Sequence, residues 1–390
     1  MILALAAGQL VKFIHVTNSA RSRFQHMTIP EEKESQAAPQ NTFRAVPIFE
    51  QLEEGRKRCG ICEYRCTVEP GREGVCKVRV NRDGQLIAIN YGVVSRADLE
   101  LIEARGFMHF FPSAKIFSVG GYGQNFPSVS GQNTFDELPT GAAIRSLPLE
   151  RLARFPIDQQ CRGVLFTYNE PSMWYEYLVD GAKTIKANGM FTAMVTNGYM
   201  TTDAVELVGH YMDGVRVEVN AFTERTFMIL TGQTQFQKVL ESATRAQKRF
   251  KAHVEISTRL IPGVNDGPDE LRRIAGWIKL ALGENTPWHI SCAIPDSDDL
   301  LWKAKEVGEN MGLHYIYARE LKSPRPLTAD SPNPPFDTTA GGNTFCYKCH
   351  ELIIERTGEI GNETRIISLE GSKCGHCATE LNIHNSIWKL

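Results

Sequence analysis

Seven short apolar runs, rich in β-branched and aromatic residues, recur along the middle of this chain. They are AKIFSVG, GVLFTYN, FTAMVTN, GVRVEVNA, HVEISTRLI, WHISCAI and HYIYARE, beginning near residues 114, 163, 191, 214, 253, 288 and 314. Each reads as a strand. Between several of them lie stretches of helical periodicity: MWYEYLVDGAKTIKANG, closed by Gly189; QFQKVLESATRAQKRF; and DELRRIAGWIKLALG, opened by Asp269 and closed by Gly283. Strand–helix alternation at this spacing implies βα units on a parallel sheet, either open and doubly wound or a barrel. Ligands of such sheets sit beyond the carboxyl ends of the strands. GYGQN, TYNEP, TNGY and VNAF all fall at that end.

A chain of 390 residues is long enough for a sizeable core and two or three units. Its 42% hydrophobic and 23% charged residues are those of a soluble globular protein. With 43 basic against 45 acidic residues, the net charge of −2 gives no electrostatic footprint for nucleic acid or an anionic membrane. No apolar run approaches the roughly 18 residues of a membrane span. The expected location is the cytoplasm. Residues 1–30 contain no Asp or Glu but carry Lys12, Thr17, Ser19, Arg21, Ser22 and Arg23, a composition like that of a mitochondrial transit peptide. The alternatives are an unstructured extension or a true start at Met27. The expected division is a polar extension over 1–45, a cysteine-containing segment over 46–100, the α/β unit over 101–322, a Pro/Gly linker over 323–343 and a cysteine-bearing tail over 344–390. Within the first cysteine segment, VCKVRV, the turn NRDG and QLIAINYG read as a hairpin.

Eight of the ten cysteines fall in two groups. No charge precedes the apolar start of the chain, and Gln9 and Lys12 interrupt it, which is not the pattern of a secretory signal. Close pairing in that context favours thiolate metal sites over disulfides. Cys59, Cys62, Cys66 and Cys76 form C-x2-C-x3-C-x9-C, a spacing that holds zinc or an iron–sulfur cluster. Cys346, Cys349, Cys374 and Cys377 form two C-x2-C pairs, which on facing hairpins place four sulfurs tetrahedrally around zinc at about 2.3 Å. Iron in a rubredoxin-like site competes with zinc. Cys346, Cys349 and His350 also spell the C-x2-C-H attachment motif of haem c, a reading that leaves Cys374 and Cys377 unexplained. The CGHC of 374–377 resembles an oxidoreductase dithiol without the βαβ context such a site needs. Cys161 and Cys292 read as ordinary buried cysteines, and His109, His210, His253 and His314 as structural histidines. Glu170 would be a general base if buried. No Ser-His-Asp arrangement, P-loop or zinc-protease helix is present.

The segments CGICEYRC and GREGVCKVRVN, then HFFPSAKIFSVG, FTYNEPSMWYEY, VTNGYM, STRLIPGVNDGPDELRRIAGWI, PWHIS and the paired C-terminal cysteines, resemble the radical SAM enzymes of the AmmeMemoRadiSam system. Those enzymes are relatives of the pyruvate formate-lyase activating enzyme, and the resemblance runs over roughly residues 55–385. It implies a partial (β/α) TIM-like barrel of radical SAM type, with an N-terminal cysteine-rich segment and a C-terminal zinc-ribbon-like module. In that family the first barrel strand leads into G-C-N-x-x-C-x-x-C-Q-N, whose cysteines bind three irons of a [4Fe–4S] cluster and leave the fourth iron for S-adenosylmethionine (SAM). Laid on GYGQNFPSVSGQN, residues 121–133, the residues Gly123, Asn125, Gln132 and Asn133 match. The three cysteine positions are Gln124, Ser128 and Gly131. An amide, an unactivated hydroxyl and a glycine offer no bond comparable to a thiolate. Without the cluster, no electron reaches the sulfonium.

The resemblance also assigns SAM-side positions. These are Tyr168, Asn169 and Glu170 at strand two, Thr196, Asn197 and Gly198 at strand three, and His289 at strand six. At strand four, Glu218 and Asn220 stand where the family shows Asp and Lys. The expectation is a pseudoenzyme: a binding or regulatory metalloprotein with weakened SAM affinity, zinc at the C-terminal cysteines and a second metal at the N-terminal ones. Its implied partner is a Memo-like protein or an active paralogue. The alternatives are a SAM-using transferase that works without radicals, and a redox or metal protein built on the clustered cysteines.

Overall fold

The computed structural model describes residues 42–127, 145–295, 297–318, 342–357 and 363–387. Residues 1–41 of the polar extension, the positions Ser128, Gly131, Gln132 and Asn133, and residues 319–341 around the linker lie outside the described residues.

All seven expected strands form. In chain order they are Lys115–Gly120, Gly163–Phe166, Phe191–Thr196, Gly214–Glu218, His253–Leu260, Trp288–Cys292 and Ile316–Ala318, numbered one to seven below. Each is parallel to the next and hydrogen-bonded to it. Strand order that follows chain order is the winding of a barrel; a doubly wound sheet would reverse at a switch point. An eighth strand, Arg96–Leu101, runs antiparallel along the outer edge of strand one. Among the described residues the two edges of this sheet are not paired with each other, so the barrel is partial.

Strands two and three are buried along their whole length, because helices cover one face while the other lines the barrel interior. The three expected helices form as Tyr175–Ala187, Gln237–Lys248 and Pro268–Trp277, the last continuing through one π turn, Ile278–Leu282. Gly189 and Gly283 follow them at φ of 75° and 111°, a region that costs a side-chain-bearing residue and stops the helix. The helices Leu149–Asp158, Thr202–Gly209, Glu224–Thr231 and Asp298–Asn310 complete the layer. No helix among the described residues is long and apolar enough to cross a membrane.

The two cysteine segments sit at opposite ends of the barrel. The N-terminal one contains the expected hairpin, Arg79–Arg82 with Gln85–Ala88, closed by Asp83 and Gly84 at φ of 50° and 74°. Two successive positive φ values match the right-handed strand twist in a two-residue turn. This segment lies over the carboxyl ends of strands one and three. The Glu63 N–H donates to the Tyr199 carbonyl at 3.1 Å, Thr201 N–H to the Ile61 carbonyl at 3.1 Å, and Asn90 Nδ2 to the Tyr122 carbonyl at 2.9 Å. The C-terminal segment is a ribbon of Thr344–Phe345, Leu352–Thr357 and Glu363–Ile366, followed by the small hairpin of Leu369–Glu370 and Lys373–Cys374. It closes the opposite end, against the chain that enters strand one. Phe111 N–H donates to the His384 carbonyl at 2.6 Å, His384 N–H to the His109 carbonyl at 2.8 Å, and Arg356 Nη2 to the Met108 carbonyl at 2.6 Å.

Candidate functional site at the barrel mouth

The loop after strand one is fixed by close approach. A Cβ on Gly120 would lie 2.6 Å from the Thr167 carbonyl oxygen, and one on Gly121 would lie 2.5 Å from the Trp174 ring. Only glycine fits there. Asn169 then holds the loop: its Oδ1 accepts from Gly121 N at 3.1 Å and its Nδ2 donates to the Gly123 carbonyl at 3.2 Å. Asn197 Nδ2 donates to Asn125 Oδ1 at 2.7 Å. Glu170 is buried, and burial pushes its carboxyl upward, while donors from Asn197 N (2.7 Å), Thr196 Oγ1 (2.7 Å) and Ser172 N (3.0 Å) pull the other way. Asn169, Glu170, Thr196 and Asn197 thus join the ends of strands one, two and three in one hydrogen-bonded net. Residues 121–127 contain no thiol, imidazole or carboxylate.

Tyr168 turns into the barrel. At φ 75° its ring lies between the guanidinium groups of Arg96 and Arg105, 4.8 and 4.3 Å from the centroid. Its hydroxyl donates to Asp98 at 2.5 Å and lies 2.7 Å from Ser118 Oγ. On strand four, Glu218 is 3.9 Å from the Arg216 guanidinium. Asn220 Oδ1 accepts from Arg259 N at 2.8 Å.

His289 lies deeper, on a carboxylate the sequence reading did not single out. Glu255 is fully buried on strand five. It accepts from the Nε2 of His289 at 2.6 Å and of His253 at 3.0 Å, and from the backbone N–H groups of Met108 (3.0 Å) and His109 (2.9 Å). These donors hold its carboxyl well below the usual range against the opposing effect of burial. Beneath it, burial pushes His109 down to about 3. In the neutral tautomer that this implies, His109 Nδ1 donates to the Asn382 carbonyl at 3.0 Å and Nε2 accepts from the Tyr317 hydroxyl at 2.7 Å. The signal in the sequence was a lone acid inside the apolar run HVEISTRLI, which a buried strand tolerates only with donors around it.

The eight clustered cysteines form two unlike arrangements. The sulfurs of Cys346, Cys349, Cys374 and Cys377 all lie within 4.8 Å of one another and can hold a metal ion. The pairs Cys346–Cys377 and Cys349–Cys374 are each 3.6 Å apart, close to the edge of about 3.8 Å expected for four sulfurs placed tetrahedrally around zinc. Cys59, Cys62, Cys66 and Cys76 instead line one hollow with Arg79, Asn125 and Met173. Burial pushes the Cys59 thiol up to about 11 and raises Cys62 and Cys76 as well. The buried Arg79 pairs with Glu176 at 2.9 Å and donates to the Met173 carbonyl at 3.0 Å.

Residues 144–277 match the family model of the radical SAM superfamily. An uncharacterized protein of Methanocaldococcus jannaschii is 28% identical over 354 residues, covering 87% of this chain and 99% of that relative. The pyruvate formate-lyase-activating enzyme of Clostridium pasteurianum is 26% identical over 133 residues, covering 34% of this chain and 55% of that enzyme, so the match spans about half of its length. A solved domain of a pyruvate-formate lyase-activating enzyme from Bacteroides vulgatus is 18% identical, covers 40% of this chain and 96% of that one, and overlays at a TM-score of 0.33, a likeness too loose to carry an argument. The superfamily match and the parallel strand order together support membership of the radical SAM superfamily and an α/β fold of that type.

Proposed function

We propose that this chain keeps the radical SAM scaffold without its chemistry and works as a binding or regulatory metalloprotein. The observation that carries the reading is the donor set of the loop after strand one: an amide at Gln124, a hydroxyl at Ser128 and no side chain at Gly131. None of these replaces a thiolate toward iron. The superfamily match over residues 144–277 begins beyond this loop. The net of Asn169, Glu170, Thr196 and Asn197 supports a retained rim, and Tyr168, Glu218 and Asn220 add to the proposed adenosyl pocket, while His289 is held by Glu255 in the buried network below it. Zinc is the proposed ion of the C-terminal cysteines, because their sulfur spacing suits a single tetrahedral ion and uses both pairs, which attachment of haem at Cys346 and Cys349 would not. A Memo-like protein or an active paralogue as partner rests on the family resemblance.

A second reading, a redox or metal protein, is favoured by the placement of the N-terminal cysteines over the barrel mouth. A SAM-using transferase has less support, since Glu170 is engaged with three donors. Titration calorimetry with SAM tests the main reading. Loss of the iron that would chelate the methionine amine and carboxylate removes about 3 kcal/mol or more, so binding is expected to be over about 100-fold weaker than in a cluster-bearing homologue. Tight stoichiometric binding would count against it.

A further inference from the structure

The N-terminal hollow differs from the C-terminal site in two ways that identify its occupant. The first is size. Both groups consist of four free cysteines. Among the described residues, however, the C-terminal four are the group whose ligand atoms all lie within 4.8 Å of one another, whereas the N-terminal four stand around a space. A single tetrahedral ion draws its sulfurs to about 3.8 Å, while a four-iron cube holds them farther apart.

The second is the set of side-chain groups left over. Arg79 Nε and Asn125 Nδ2, on residues only 2% exposed, have no hydrogen-bond partner and belong to residues lining the hollow. Both are donors. Buried donors call for an electronegative occupant, and the bridging sulfides of an iron–sulfur cluster supply acceptors that a bare zinc ion does not.

We propose that Cys59, Cys62, Cys66 and Cys76 bind one [4Fe–4S] cluster, one thiolate to each iron, seated over the mouth of the barrel. The inference rests on the reading of the eight clustered cysteines as two metal sites and makes the two sites chemically different. With four protein thiolates, every iron is occupied and none is open to the amine and carboxylate of SAM, so the cluster does not restore the lost chemistry. Asn125 joins the two regions: it lines the hollow, and its Oδ1 accepts from Asn197 at the end of strand three.

The test is a metal and sulfide count on the full chain, purified anaerobically and reconstituted with ferrous iron and sulfide. About four iron and four sulfide per chain, a broad visible absorption bleached by dithionite, and one retained zinc are expected. Cys59→Ser with Cys62→Ser should lose the iron and keep the zinc, and the retained zinc reports that the rest of the chain is folded. Cys346→Ser with Cys374→Ser should do the reverse. Should the first pair of substitutions fail to fold, the wild-type count decides. Fewer than about one iron per chain, a second zinc in its place, or iron that survives Cys59→Ser with Cys62→Ser would each overturn the proposal. None of these readouts involves SAM, so failure here is separable from failure of the non-radical reading.

Discussion

Glu255→Ala is expected to cost about 3–5 kcal/mol of stability, enough to unfold many single domains. The substitution leaves four buried donors, two imidazoles and two backbone N–H groups, without their acceptor. Glu255→Gln keeps an acceptor for the backbone but sets an NH₂ group against an imidazole N–H, and should cost less, about 1–3 kcal/mol. The same cluster predicts a steep acid limb. Burial pushes both His109 and His384 down to about 3 in the folded chain. A histidine kept neutral by folding leaves the unfolded state to bind the extra proton. Its contribution is therefore intact above the unfolded value of about 6.5 and lost as pH falls from there toward about 3. With two such groups the slope approaches about 2.7 kcal/mol per pH unit. Glu255, depressed in the folded state, adds its own loss only as pH falls below the ordinary carboxylate range. Urea unfolding at pH 7.5, 6.5 and 5.5 measures this, and a midpoint that does not move across that range would contradict it.

Removal of the zinc proposed for the C-terminal cysteines is expected to release the ribbon from the closed end of the barrel. The ribbon has a small apolar core of its own, including Ile353, Ile354, Leu381 and Ile383. Structural zinc contributes on the order of 10 kcal/mol to modules of this kind. Without it, Arg356 would leave the Met108 carbonyl and the buried Glu103, whose Oε1 lies 3.6 Å from Arg356 Nε. His384 would leave the segment ahead of strand one. Chelation, or Cys374→Ser, should lower Tm by on the order of 10 °C and open the tail to protease. An unchanged melting curve after verified loss of metal would show that the ribbon stands by itself.

The barrel was legible because its strands are unusual locally. Runs such as GVLF are apolar throughout, and FTAMVT is interrupted only by threonine, as strands buried on both faces require. The antiparallel edge strand Arg96–Leu101 was not legible. Its sequence, RADLEL, alternates charged and apolar residues as a surface segment does, yet Asp98 and Glu100 face the polar interior around Tyr168 and Arg105. The helix Leu149–Asp158 escaped notice with Pro156 inside it. At the candidate site, residue types and spacings named the cysteines, and the family resemblance assigned the strand-end polar residues. They could not show that CGICEYRC folds back over the mouth, because that placement is made by backbone hydrogen bonds from Glu63 and Thr201 to and from partners far away in the chain. Nor could they show that His109, His253 and His289, read separately, share one buried carboxylate network.

The central claim is that the loop after strand one has lost the ligands for radical chemistry. The most direct test is anaerobic reconstitution with iron and sulfide, followed by SAM and dithionite, with 5′-deoxyadenosine quantified against a protein-free control. The account predicts none above that control, including in preparations whose N-terminal cysteines carry a full cluster. Formation of 5′-deoxyadenosine in amounts exceeding the protein present would contradict it.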